Sequence, residues 1–271
     1  MIKTAFSTLG CPSWNYKEIV ACAGDLGYDG IEIRGINSQI YAPLITEFSE
    51  ENYKRTIAEL KQKNLEIPLF SSGANLADKL NIESALKEAY DYISLASKCS
   101  VKYVRVLCDK APDITVEIDI DFVAKQLIDV CREALSKNIT ILIETNGYFA
   151  KSENILNLLS CVNAENLGII WDVHHPFTYF NEKIDYTFSK LQKYIKHIHI
   201  KDSKIIDGKV KYQMLGYGNI PVEQILELLS VNNYEGYISL EWVKRWSKEL
   251  DDPDIVFPQF IFAVKRMLKK L

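Results

Sequence analysis

Four side chains able to bind metal stand at or near the ends of four successive apolar runs. They are Glu144 in ITILIETNG, Asp172 in LGIIWDVHH, His199 in IKHIHIKD and Glu241 in GYISLEW. Runs this rich in β-branched residues predict strands. If the strands are parallel and close into a barrel, all four side chains converge on one mouth. Three carboxylates and an imidazole meeting there would make a divalent-metal site. Carboxylate oxygens suit magnesium or manganese, and the imidazole moves the preference toward manganese, cobalt, iron or zinc. The set therefore favours manganese, with zinc, cobalt and magnesium as alternatives. A structural zinc site would recruit cysteines and close all four positions, and only Cys108 lies at a comparable strand end.

These residues must be positioned by strands, and the chain alternates strand and helix throughout. Strands are expected at 2–7, 30–34, 65–72, 101–108, 139–144, 167–172, 196–202 and 237–242. Between and after them, apolar residues at three- and four-residue intervals predict helices over 17–27, 53–63, 82–99, 120–138, 152–162, 186–195, 221–232 and 254–271. Gly27 should stop the first helix, and Pro221 should open the seventh. Eight βα units in 271 residues predict one (β/α)8 TIM barrel over 1–271 rather than an open doubly wound sheet. Neither TLGCPS nor SSGANL is a G-x-G-x-x-G turn, so nothing supports a dinucleotide site.

Composition narrows the partners. Hydrophobic residues make up 48% and charged residues 25%, which predicts a sizeable core. A net charge of −4 with no long basic run argues against a nucleic-acid partner. No apolar run approaches the roughly 18 residues of a membrane span. The six cysteines lack C-x-x-C spacing and read as reduced thiols. With no secretory leader in MIKTAFSTLG, a cytoplasmic protein is expected, and a homo-oligomer is compatible with the sequence.

Strand alternation sorts the histidines. His197 and His199 share a face, with His199 nearer the mouth and His197 one layer deeper. His175, in the loop after Asp172, can reach back over the mouth to bind substrate, whereas His174 is expected to be exposed or packed.

The motifs STLGCPSW, YDGIEIRG, ILIETN, IIWDVHH, HIHIKD, LGYGNIP and YEGYISLEW together resemble the xylose-isomerase-like superfamily of sugar isomerases, epimerases and dehydratases. The resemblance runs over essentially the whole chain. It implies a (β/α)8 barrel with a divalent metal on Glu144, Asp172, His199 and Glu241, and a contact from His175 to a substrate oxygen.

Such an ion would chelate the oxygens of an α-hydroxy ketone or aldehyde and acidify the neighbouring C–H through an enediolate. Glu144 and Glu241 would move the proton. Epimerisation, aldose–ketose isomerisation and inosose-type dehydration need nearly the same residues, and the ligands alone do not choose among them. Trp14 is a candidate wall for the sugar and Lys204 a candidate partner for an anionic substituent. Asp202 is expected to steady a ligand or the His199 ring, and Glu32 to pair with Arg105 inside the barrel. Trp242 and Trp246 are candidate caps, and LGYGNIP offers backbone N–H groups that could hold an anion. One rival is a nuclease of the apurinic-site type, but no histidine precedes His174. The other is a barrel that binds a small ligand without turning it over.

Overall fold

A computed structural model describes residues 2–109 and 117–271. The barrel strands are β1 (Lys3–Ser7), β2 (Gly30–Glu32), β3 (Phe70–Asn75), β4 (Tyr103–Leu107), β5 (Thr140–Glu144), β6 (Leu167–Asp172), β7 (Ile195–Ile200) and, after the hairpin β8–β9 (Asp202–Ile206 and Lys209–Gln213), β10 (Tyr237–Leu240). All eight run parallel in the order β2-β1-β10-β7-β6-β5-β4-β3. The two outer strands meet through bridges Gly30 to Glu66 and Ile33 to Phe70, with Ile31 N donating to Glu66 O at 2.9 Å. The sheet thus curls shut as a (β/α)8 barrel.

Each strand presents two faces. Ile141, Ile143, Ile169, Trp171, Ile198 and Ile238 point outward into one continuous core shared with the helices. Those helices are α1 (Tyr16–Leu26), α2 (Tyr53–Gln62), α3 (Ile82–Lys98), α4 (Ile120–Ser136), α5 (Ser152–Val162), α7 (Ile184–Leu191), α8 (Val222–Val231) and α9 (Pro253–Leu268), with a short α6 (His174–Phe180) added after β6. The inward faces carry a small separate plug of Leu69, Leu142 and Ile170 against Tyr103, and nearer the mouth they carry charges. Period-2 alternation therefore divides an apolar outer layer from a polar interior.

Local signals explain the element ends. Asn15 and Glu18 form a reciprocal cap at the start of α1, and Gly27 ends it with φ 68°. Pro221 lies one place earlier than expected, as the residue before α8. Regular β3 begins at Phe70 rather than at 65, because Pro68 cannot donate to a ladder. The β8–β9 hairpin was not anticipated, although Asp207 and Gly208 turn it with φ of 52° and 72°, as a two-residue D-G turn requires. None of the helices among the described residues is long and apolar enough to cross a membrane.

Candidate metal centre

Four strand ends deliver the expected ligands to one place. Glu144 ends β5, Asp172 ends β6, His199 lies one residue from the end of β7, and Glu241 follows β10. One ligand atom from each lies within 4.8 Å of the others, and all four residues are buried. They share the floor of the mouth because β5, β6, β7 and β10 are consecutive neighbours, and after a register shift between Ile169 and Ile170 Asp172 stands opposite His199, with His199 opposite Ser239.

The His199 ring fixes the orientation of the site. Its Nδ1 lies 2.7 Å from Glu144 Oε1 and 3.5 Å from Glu241 Oε1. Its Nε2 lies 3.0 Å from Glu32 Oε2, and Ser71 Oγ donates to Glu32 Oε1 at 2.7 Å. Glu32 also approaches His197 Nε2 at 3.3 Å. A carboxylate behind a ligating imidazole holds its ring and tautomer. Glu32 stands where it could take this role, and it contacts His199 and His197 instead of pairing with Arg105. Arg105 binds Glu144 Oε2 with Nη1 at 2.9 Å and Ser72 O with Nη2 at 3.0 Å.

Lys201 was not anticipated as a site residue. It is buried, and its Nζ donates to both Asp172 Oδ2 and Glu241 Oε2. The signal was available, because Lys201 is in phase with His197 and His199 on the inward face.

The charges of this cluster fit a divalent cation. Glu32, Glu144, Asp172 and Glu241 face two permanent cations, Arg105 and Lys201, which leaves one negative charge in excess while the His199 ring is protonated and two once it is neutral. Burial pushes the His199 imidazole down, but Glu32, Glu144 and Glu241 together hold its proton well above the ordinary range. The same field draws a cation to Nδ1. Burial pushes Glu144 up, yet His199, Arg105 and Lys201 outweigh it and keep it ionised. Glu241 moves the other way: burial raises it, Lys201 opposes and the Glu144 charge reinforces. The two glutamates are thus unequal in their hold on a proton.

Above the ligands opens a cavity of about 590 Å³ whose lining includes Glu144, Glu241, His175 and Lys201. The His175 Nδ1 donates to Thr145 O at 3.2 Å, and burial pulls the ring down to about 4. His175 is therefore a neutral imidazole whose Nε2 keeps its lone pair. His174 is fully packed, its Nε2 2.7 Å from Ser203 Oγ.

Other expected contacts are not formed. Trp14 packs edge-on against Phe257, 5.6 Å between centroids, and is not part of the cavity lining. Lys204 is exposed on β8 opposite Lys211, also away from the lining. Trp242 is buried and donates to Asp251 O at 2.9 Å, so Trp246 alone of the two reaches the cavity. Asp202 touches neither a ligand nor His199. Its carboxylate accepts from Ser203 N at 2.8 Å, Gly216 N at 2.9 Å, Gly218 N at 2.8 Å and Ile220 N at 3.1 Å. The anion held by the LGYGNIP loop is thus the protein's own Asp202. Gly218 is required there, because a Cβ would lie 1.8 Å from Asp202 Oδ1.

Comparison with known proteins agrees with this architecture. The family model for the xylose isomerase-like TIM barrel matches residues 20–256. Fructoselysine 3-epimerase of Escherichia coli O157:H7 is 24% identical over 259 residues, covering 92% of this chain and 93% of that protein. The probable 3-DHS dehydratase AsbF of Bacillus anthracis superposes with a TM-score of 0.80 at 19% identity, covering 97% of this chain and 99% of its own. A zinc-bound IolI protein superposes with a TM-score of 0.78 at 18% identity, covering 99% of both chains.

Proposed function

Because this chain belongs to the xylose isomerase-like TIM barrel family, we propose that it is a divalent-metal-dependent epimerase or isomerase of a ketose or a polyol-derived ketone. The observation that carries the reading is the convergence of Glu144, Asp172, His199 and Glu241 within 4.8 Å, in a buried cluster left two negative charges in excess once the His199 ring gives up its proton. These four side chains would hold the ion, with manganese the first choice and zinc, cobalt or magnesium the alternatives. Bound there, it supplies Lewis acidity that makes the C–H beside the substrate carbonyl acidic.

The remaining chemistry belongs to the side chains. Glu144 and Glu241 flank Asp172 and His199 from opposite arms of the ligand set. One carboxylate removes the proton from one face of the substrate carbon and the other returns a proton to the opposite face. Arg105 holds Glu144 as a carboxylate ready to accept, while the upward shift of Glu241 suits it to deliver. Neutral His175 accepts a hydrogen bond from a sugar hydroxyl at Nε2. Lys201 steadies Asp172 and Glu241. The E. coli epimerase, matching over nearly the whole chain, favours epimerisation. The second reading, dehydration, draws support from an inosose dehydratase of Clostridium botulinum that is 30% identical over 105 residues, 33% of this chain and 35% of that protein.

The test is proton exchange in deuterated water with manganese-loaded protein and a panel of ketoses and inososes. Epimerisation leaves deuterium at the inverted carbon, whereas dehydration releases water and gives an unsaturated ketone. Glu241→Gln should lower turnover by about 10²–10⁴-fold, the usual worth of a positioned acid or base, with the circular dichroism spectrum unchanged. Tight metal binding without exchange on any substrate would remove the catalytic reading in favour of a ligand-binding barrel.

A further inference from the structure

The wall of this cavity carries two guanidinium groups that are incompletely satisfied among the described residues. Arg34 lies two residues beyond β2, in phase with Glu32, and lines the cavity. Its Nη1 is buried with no hydrogen-bond acceptor, and the group sits 5.9 Å from the centroid of the Trp246 ring. Arg105 spends Nη1 and Nη2 on Glu144 and Ser72, but its Nε is also buried without an acceptor. The two cations repel each other, and burial followed by Arg105 pulls Arg34 down to about 10. The carboxylate whose field reaches Arg34 is Glu88, and its Oε1 accepts Gly73 N at 2.5 Å. Asp109 and Asn75 line the same cavity.

Buried donors without acceptors are rare because desolvating them is costly. Both guanidinium groups line one open cavity, and neither finds a full set of acceptors among the described residues, so an anion entering that cavity would meet two under-satisfied cations. The glycine loop cannot bind it, since Asp202 already fills that nest. We propose that Arg34, backed by Arg105 and covered by Trp246, forms a subsite for an oxyanion on the substrate, a phosphate or a carboxylate. The substrate class is then an anionic ketose. A guanidinium matches either oxyanion through paired N–H donors. This inference rests on reading the metal centre as a ketose site.

Calorimetric binding to the manganese-loaded protein tests it, with D-fructose, D-fructose 6-phosphate and 2-keto-D-gluconate as probes. At least one anionic probe should bind about tenfold or more tightly than fructose, the scale of one charge-assisted hydrogen bond. Which of the two gains separates phosphate from carboxylate. Arg34→Gln should bring the ratio to within about twofold, while Arg34→Lys, which keeps the charge but not the fork, should retain an intermediate preference. Equal binding of all three probes by the wild type overturns the proposal, and needs no variant to fold. So does an undiminished preference in folded Arg34→Gln. Because these are binding measurements, absent deuterium exchange would remove the catalytic reading and leave them standing. Exchange on fructose without an anion preference would remove the subsite alone.

Discussion

The two ends of the barrel treat charge in opposite ways. At the end where the strands begin, Lys3 pairs with Glu66 at 3.0 Å, and Tyr237 donates to the same carboxylate oxygen at 2.6 Å. The two charged side chains reach water, with Lys3 43% and Glu66 61% exposed. At the end where the strands finish, Glu32, Glu144, Asp172, His199, Lys201 and Glu241 are all buried. Between them lies the apolar plug of Leu69, Leu142 and Ile170. Solvent absorbs most of the energetics at the first end. At the second, each charge loses hydration worth several kcal/mol and depends on its neighbours. Concentrating charge there opposes stability, and the proposed chemistry at the mouth would account for the arrangement.

This contrast can be tested at both ends. Lys201→Met should have the largest effect, because it leaves Asp172 and Glu241 without their shared cation. A loss of about 3–5 kcal/mol is expected for one partner of a buried pair, read by urea unfolding in chelator. Added manganese should recover more of that loss than it adds to the wild type. A variant as stable as wild type in chelator would show that the mouth is no more strained than the end where the strands begin.

Glu32→Gln should act next, by loosening His199 while keeping the four ligands. Manganese affinity should fall about 10–100-fold, as for other carboxylates behind a ligating imidazole, measured by competition with a fluorescent chelator. Unchanged affinity would reduce Glu32 to a packing residue.

The smallest effect belongs to the other end. The Tyr237 hydroxyl, joined by Lys3, lowers Glu66 below the ordinary carboxylate range against the opposing effect of burial. A carboxyl depressed on folding stabilises the protein above its unfolded pKa, and that contribution fades as the pH falls through the folded value. Glu66→Gln should therefore cost under about 1 kcal/mol at pH 7 and nothing near pH 2. A larger cost, or one that persists in acid, would mean this end is not governed by solvent.

Much of the site was legible because it obeys local rules. Glu144, Asp172, His199 and Glu241 each close or nearly close an apolar run, and parallel strands put such positions at one end. Lys201 follows the same alternation as His197 and His199 within the expected strand, but a lysine is not a metal-ligand type, so a search for ligand side chains passes over it. Asp202 misled for a different reason. A carboxylate beside a ligand strand suggests support for the ligand, yet its acceptors face the N–H groups of residues 216, 218 and 220. The hairpin turn at Asp207 and Gly208 carried a readable signal, and the strands around it are too polar for an apolar-run criterion to find.

The sequence by itself determined the alternation of strand and helix, the apolar outer faces and the four candidate ligand positions, since all depend on contacts and periodicities within a few residues. Tertiary structure decided which groups meet across the barrel. Glu32 reaches His199, 167 residues away, and Arg105 reaches Glu144 instead of Glu32. Those choices depend on how far each strand is staggered and how wide the closed barrel is. Both are set by the packing of all eight strands together, and no local stretch of chain encodes them.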